Sequence, residues 1–217
     1  MKELEISLFP IPGSVSLPFT AVPLHVFEPR YRKMIKDSVA MKRRIGVAHT
    51  KRVVSRAKSQ AEATQEERLN QNQDTYETYP VFSAGFAEIL ETLPDGRMVV
   101  EIAMDSRYEI IEELQQLPYK VVRCREFEDD AAFEPGAEKL REELDQFLLR
   151  IAGVQVPALK DYLLSPKWKS LNNLQYSFAV YTFVMFEPDV LQKVLELKSS
   201  LERISFLKDT LDKSTLQ

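Results

Sequence analysis

Apolar and polar residues alternate with a period of two in the first part of the chain. Leu4, Ile6 and Leu8 are separated by Glu5 and Ser7, a pattern that predicts a half-buried strand. Pro10, Pro12 and Gly13 end it. A second extended run covers Leu17 to Phe27, where Pro18 and Pro23 each remove a backbone donor, so it is expected at an edge or as a bent crossover. Pro29 suits the first position of a helix running to about Ala40, with Tyr31, Met34, Ile35 and Val39 on its buried face. A short strand follows at 45–49. The polar stretch 55–77 has no apolar face long enough to dock and is expected to be a mobile insert. The run from Tyr79 to Leu93, the turn Leu93-Pro94-Asp95-Gly96 and the run from Met98 to Met104 predict a hairpin. Two further strands are expected, around Tyr108–Ile111 and from Tyr119 to Phe127. Close-set strands with short turns point to a small barrel or sandwich.

The period changes after Phe133. Leu140, Leu144, Phe147, Leu148 and Ile151 share one face of an amphipathic helix. A short helix is expected over 159–164. A longer one, capped by Ser170 and running to about Phe186, is apolar nearly all round and so belongs at the centre of a bundle. Another helix restarts at Glu187-Pro188-Asp189. Ser199 with Glu202 reads as a capping box for a last helix carrying Leu201, Ile204, Leu207 and Leu211. The organisation expected is a strand-rich subdomain over 1–127 and a helical one over 133–217.

Charge agrees with that division: residues 1–125 hold 18 basic and 17 acidic side chains, and residues 126–217 hold 11 and 16. Over all 217 residues the net charge is −4, which gives no global electrostatic case for nucleic acid. A single cysteine rules out an intrachain disulfide and any multi-cysteine metal site, and two histidines leave little for a histidine-rich one. No run approaches transmembrane length, and the acidic Met1–Glu5 start lacks the basic region of a signal peptide. A cytoplasmic protein without cofactor or metal is expected.

Nucleotide-binding, Rossmann, nucleophile-elbow and zinc-protease motifs are missing from the sequence. Cys124 lies between Arg123 and Arg125, whose charges could activate a thiol, but strand alternation turns it toward the core. His25 could act as a base beside Glu28 or Asp37, yet it alternates with Leu24 and Val26 as a strand residue does. Glu88, Glu91, Glu101, Asp105 and Glu109 alternate with apolar positions, which favours a solvated face over paired catalytic carboxylates. Lys42, Arg43, Arg44, Lys51, Arg52, Arg56 and Lys58 put seven bases into 17 residues with no acid between them, a possible phosphate contact. Trp168, flanked by Lys167 and Lys169, is either a binding-surface residue or a cover for the bundle.

The stretch Leu8-Phe9-Pro10, Leu17-Pro18 and Val22-Pro23-Leu24-His25-Val26-Phe27-Glu28-Pro29-Arg30-Tyr31 resembles the N-terminal, substrate-binding domain of Lon protease, most closely its stand-alone bacterial members. Gly85-Phe86-Ala87-Glu88-Ile89, Leu93-Pro94-Asp95-Gly96-Arg97 and Tyr108-Glu109-Ile110 follow in the family's order, and the helical tail is similar too. The resemblance implies an α+β fold: a PUA-like pseudo-barrel of about six strands, then a helical bundle. It also implies a non-catalytic module that holds exposed apolar segments of other proteins, with neither the ATPase nor the serine–lysine protease of full-length Lon. The candidate contact residues are Phe27, Tyr31, Phe86, Met104, Tyr108 and Trp168, in a groove expected between barrel and bundle. The alternative from another class is an RNA-binding PUA-like barrel using Arg43, Arg44, Lys51 and Arg52.

Overall fold

A computed structural model describes residues 3–55, 75–130 and 134–215. Two compact units are present: Met1–Phe127 with Glu187–Leu195, and Glu128–Phe186 with Glu196–Gln217. The first holds strands β1 (Glu3–Pro10), β2 (Ala21–Val26), β3 (Arg44–Ala48), β4 (Thr50–Ser55), β5 (Thr75–Thr78), β6 (Val81–Thr92), β7 (Met98–Gln115) and β8 (Lys120–Glu126). It also contains helix α1 (Pro29–Met41).

Six strands pair in the order β2-β7-β6-β3-β1-β8, and β8 pairs again with β7. That last pairing closes β7, β6, β3, β1 and β8 into a ring with β2 attached outside it, so closure leaves few open edges. β4 and β5 form a separate two-stranded sheet. Two strands had been expected at 98–104 and 108–111; the structure has one 18-residue strand. Register shifts near Gly85 and near Ile110 bend it. Such bulges let one strand pair with β2 at its start and β8 at its end. Of the mobile insert expected over 55–77, residues 56–74 lie outside the described residues; Ser55 and Thr75–Glu77 belong to strands.

α1 carries Tyr31, Met34 and Ile35 into one apolar cluster with Ile45, Val47, Met98, Val100 and Ile102. Alternate residues Ile6, Leu8, Phe82, Tyr108, Val122 and Cys124 form a second. Gly46 is required there, because a Cβ would stand 2.2 Å from the buried Phe82 ring. The helix at Pro188–Glu196 (α6, numbered in chain order) belongs with the strands: Gln192 Nε2 donates to the Val81 carbonyl at 3.0 Å. The Arg107 guanidinium donates to the Leu195 carbonyl at 2.6 Å.

The second unit contains α2 (Ala137–Gln155), α3 (Pro157–Leu164), α4 (Pro166–Lys169), α5 (Asn173–Ala179), a 3-10 turn at Val180–Phe183 and α7 (Ser200–Thr215). The long helix expected from Ser170 is shorter, and Asn172 caps it. Asn172 Oδ1 accepts from the Gln175 amide at 2.9 Å and Gln175 Oε1 from the Asn172 amide at 3.2 Å, a reciprocal box. The Ser170 hydroxyl instead donates to the Lys167 carbonyl. The β-branched Val180, Thr182 and Val184 weaken continuation of the helix. The Ser199 cap is present, its hydroxyl accepting from the Glu202 amide at 3.0 Å.

Candidate functional site

Pro10 and Pro12 carry no N–H, so the chain after β1 cannot extend the ladder through those positions. Ile11 still donates to the Ala48 carbonyl at 3.0 Å. Across from this turn, β2 ends at Val26 and Phe27-Glu28 leads into α1 through Pro29. Between the two lies a cavity of about 450 Å³ lined by Phe9, Ile11, Leu24, Phe27, Tyr31 and Tyr76 together with the prolines, His25, Glu28 and Arg30. A second cavity of about 310 Å³ shares Pro10, Arg30, Tyr31 and Tyr76 with it and continues to Val54, Leu117, Pro118 and Tyr119. The two make one apolar trough within the strand unit. At its far end Leu117 is 81% exposed, although it is a large apolar residue.

Aromatic packing sets the floor. Phe9 and Tyr31 stack with ring centroids 4.1 Å apart, and the Arg30 guanidinium lies over Tyr31 at 4.6 Å. Glu28 precedes α1 and uses its carboxylate to pair with Arg30 at 2.9 Å instead of capping the helix. An acid beside a helix N-terminus is favoured by the exposed amides there. Lys120 pairs with Glu113 at 3.2 Å. Burial pushes the Tyr31 hydroxyl up to about 12. Burial and the Asp37 carboxylate do the same to Tyr119, also to about 12. The hydroxyl of Tyr119 donates to Asp37 at 2.7 Å, and that bond, with Lys33 and Arg43 nearby, holds Asp37 below its usual range. Both phenols are therefore neutral at physiological pH, and the charged groups on the walls have partners within the protein. The trough offers rings, prolines and phenol oxygens, which suits a mostly apolar chain.

The six expected contact residues do not come together. Phe27 and Tyr31 line the trough. Phe86 is 46% exposed on β6, with the Arg44 guanidinium 4.5 Å from its ring centre. Met104 and Tyr108 are core residues at 3% and 2% exposure, because both point inward from β7. Trp168 is fully buried in the helical unit, its indole N–H donating to Asp145 at 3.0 Å. The neighbouring lysines suggested a surface position. In the one-turn α4, however, Ser165 caps the Trp168 amide and turns position 168 inward, leaving Lys167 and Lys169 outside. Phe9, Tyr76, Leu117 and Tyr119 were missed. Tyr76 lay in the polar stretch, and nothing in Gln116-Leu117-Pro118 signals an exposed apolar residue beside a pocket.

Most of the other candidate groups are buried or paired elsewhere. Arg43 pairs with Glu5 at 3.1 Å, Arg44 with Asp105 at 2.9 Å and Arg52 with Glu77 at 2.6 Å. Lys51 sits 5.3 Å from the Tyr79 ring centre; Arg56 and Lys58 lie outside the described residues. Cys124 is buried, which pushes its thiol up to about 12. His49 has Nε2 3.3 Å from Asp189 and stacks on Tyr79. His25 is exposed on β2. Glu109 pairs with Arg125, while Glu88 and Glu91 are solvated. Among the described residues, no three His, Cys, Asp or Glu side chains gather as a metal site, and no helix is long and apolar enough to cross a membrane.

A closed strand unit with an apolar trough, accompanied by a helical unit, makes this a protein of mixed α and β structure. Residues 5–213 match the family described as the ATP-dependent protease La (LON) substrate-binding domain, and the chain belongs to that family. It is 26% identical over 211 residues to Lon protease 1 of Herpetosiphon aurantiacus, covering 92% of this chain and 24% of that protein. The chain thus spans about a quarter of the length of that curated relative. Two solved structures share the fold. The N-terminal domain of the Mycobacterium avium complex Lon protease matches with a TM-score of 0.66 at 13% identity, covering 95% of this chain and 97% of that one. The Lon N-terminal domain protein from Xanthomonas campestris matches with a TM-score of 0.57 at 17% identity, covering 95% and 98%.

Proposed function

We propose that this protein is a non-catalytic polypeptide-binding module that holds apolar segments of other proteins in the trough around Tyr31. The observation that carries the reading is the placement of the stretch that resembles the Lon family. Leu24, His25, Phe27, Glu28, Arg30 and Tyr31 all line the same cavity, where rings and prolines face solvent-accessible space. Binding of this kind draws on apolar burial and needs no unpaired charge. The description of the matched family as a substrate-binding domain supports it. The absence of activity is part of the same proposal: Cys124 is an inert core thiol, and Asp105 and Glu109 are committed to ion pairs.

Against the RNA alternative stand the partners of Arg43, Arg44 and Arg52, which already spend their charge on Glu5, Asp105 and Glu77. The test is binding of the purified protein to labelled, reduced and carboxymethylated α-lactalbumin and to a labelled single-stranded RNA, across a salt series. Capture of the unfolded protein with little dependence on salt is the expected result. Salt-steep binding of RNA alone would move the function to the basic segment.

A further inference from the structure

The trough is bordered by a strand whose outer edge is unpaired among the described residues. Met104 donates its amide to the Thr20 carbonyl at 2.9 Å, and the register that follows pairs Val22 with Ile102, Leu24 with Val100 and Val26 with Met98. Antiparallel ladders alternate, so Val22, Leu24 and Val26 turn their backbone groups toward β7. Ala21, Pro23 and His25 turn theirs away, and all three are exposed. β2 ends the strand order, and among the described residues nothing pairs with its outer side. Pro23 falls on that outer side, the one place in the strand where a missing N–H costs no ladder bond. The edge therefore presents three carbonyls, from Ala21, Pro23 and His25, and two amides, from Ala21 and His25. His25 and its neighbours Leu24 and Phe27 also line the trough.

We propose that the outer edge of β2 takes an extended segment of a partner polypeptide as an added strand, with apolar side chains at every second position of that segment entering the trough between Phe9, Phe27 and Tyr31. This rests on the polypeptide-binding reading and adds to it how the occupant is recognised and what it must be. Main-chain pairing supplies affinity with little regard to sequence, and the trough selects apolar residues at a spacing of two. The hydrogen-bonding complement of this edge is an extended chain. A helix has its amides and carbonyls occupied, and would cover the free groups of Ala21 and His25 without replacing their water. Pro23 interrupts the row of donors, so the edge holds a short segment and resists pairing along its whole length with a second copy of itself.

The test uses the intact protein and short synthetic labelled peptides. One peptide alternates phenylalanine and leucine with serine and threonine, and an isomer of the same composition places its apolar residues at helical spacing. The alternating peptide is expected to bind about tenfold or more tightly than the isomer, the order expected when a few hydrogen bonds are lost. N-methylation of every second amide in one register of the bound peptide should weaken it by a similar factor, while methylation in the other register leaves it bound. His25→Pro should also weaken binding without shifting the melting temperature, since that N–H serves no bond among the described residues. His25→Ala keeps the N–H and removes only the ring that lines the trough, so it should weaken binding less than His25→Pro does. If His25→Pro does not fold, the N-methyl series decides alone. Equal binding of both isomers and indifference to methylation in both registers would overturn strand addition while leaving the trough as a side-chain site. Failure of the protein to bind either peptide or unfolded α-lactalbumin would overturn the polypeptide-binding reading as well.

Discussion

In the strand unit the main chain largely satisfies itself. Each ring strand pairs with two others of the ring, β7 pairs with β2 as well, and the two clusters that fill the unit are apolar. In the helical unit, α4 spans four residues and α5 seven. Helices that short leave a large share of their carbonyls without an internal donor. Arginine side chains fill the deficit. Arg141 donates to the Leu171 carbonyl at 2.5 Å and to that of Trp168 at 3.2 Å. Arg203, fully buried, donates to the Leu197 carbonyl and the Ser177 hydroxyl, both at 2.8 Å, and pairs with Asp129 through both terminal nitrogens. Its guanidinium lies 4.1 Å from the Phe178 ring centre. Tyr176 and Trp168 both donate to Asp145. A closed sheet can leave its surface rings free for a ligand, whereas a bundle of short helices turns its aromatics and arginines inward to complete itself. That difference is why Trp168, expected at a binding surface, is a core residue.

The comparison is broken most severely by removing a polar keystone. Arg203→Ala should cost the helical unit about 3–5 kcal/mol, read as lost amide-exchange protection in α5 and α7. Full protection retained in the strand unit would confirm that the two cores are independent; parallel loss in both would refute it. Trp168→Ala should cost about 3–5 kcal/mol for the cavity and leave peptide affinity per folded molecule unchanged. A loss of affinity would return Trp168 to the binding surface. Gly85→Ala probes the other unit, because a Cβ there would stand 1.7 Å from the Ala103 carbonyl oxygen, and backbone cannot step aside. It should destabilise the β6–β7 hairpin by about 1–3 kcal/mol in denaturant titration.

Phe27→Ala should reduce peptide binding by about tenfold, or ~1–2 kcal/mol, with a small change in melting temperature. A large fall in stability with intact binding would class Phe27 as core. The smallest effect is at Asp37. Its carboxyl is held below the ordinary value by Tyr119, so the bond contributes stability above the unfolded value near 3.8. That stability is lost as the pH falls through the lower folded value. Asp37→Asn should therefore destabilise by less than about 1 kcal/mol at neutral pH. The difference from wild type should vanish in strong acid; a constant difference at every pH would assign the effect to packing.

Much of the fold could be read from residue patterns, and the reasons are local. Leu4-Glu5-Ile6-Ser7-Leu8 declares a strand because one face is wet and one is dry. Pro29 opens α1 because a first-turn residue needs no N–H. Ser199 caps the last helix because its hydroxyl reaches the Glu202 amide. Pro23 announced an edge strand, and β2 is one. Local rules failed where competition among neighbours decides: the box at Asn172 displaced Ser170, and bulges joined two expected strands into β7.

The sequence by itself determined the strand-then-helix order, the edge character of β2, the burial of Cys124 and the motif that contains Phe27 and Tyr31. All of these follow from the period of apolar residues or from the backbone chemistry of proline, which act over a few residues. Tertiary structure alone decided that Phe9, Tyr76, Leu117 and Tyr119 meet that motif in one trough, that α6 belongs with the strands, and that Arg43, Arg44 and Arg52 face acids from other elements. Each of these depends on pairing and packing between elements that are far apart in the chain, and a pattern of neighbours carries no record of that.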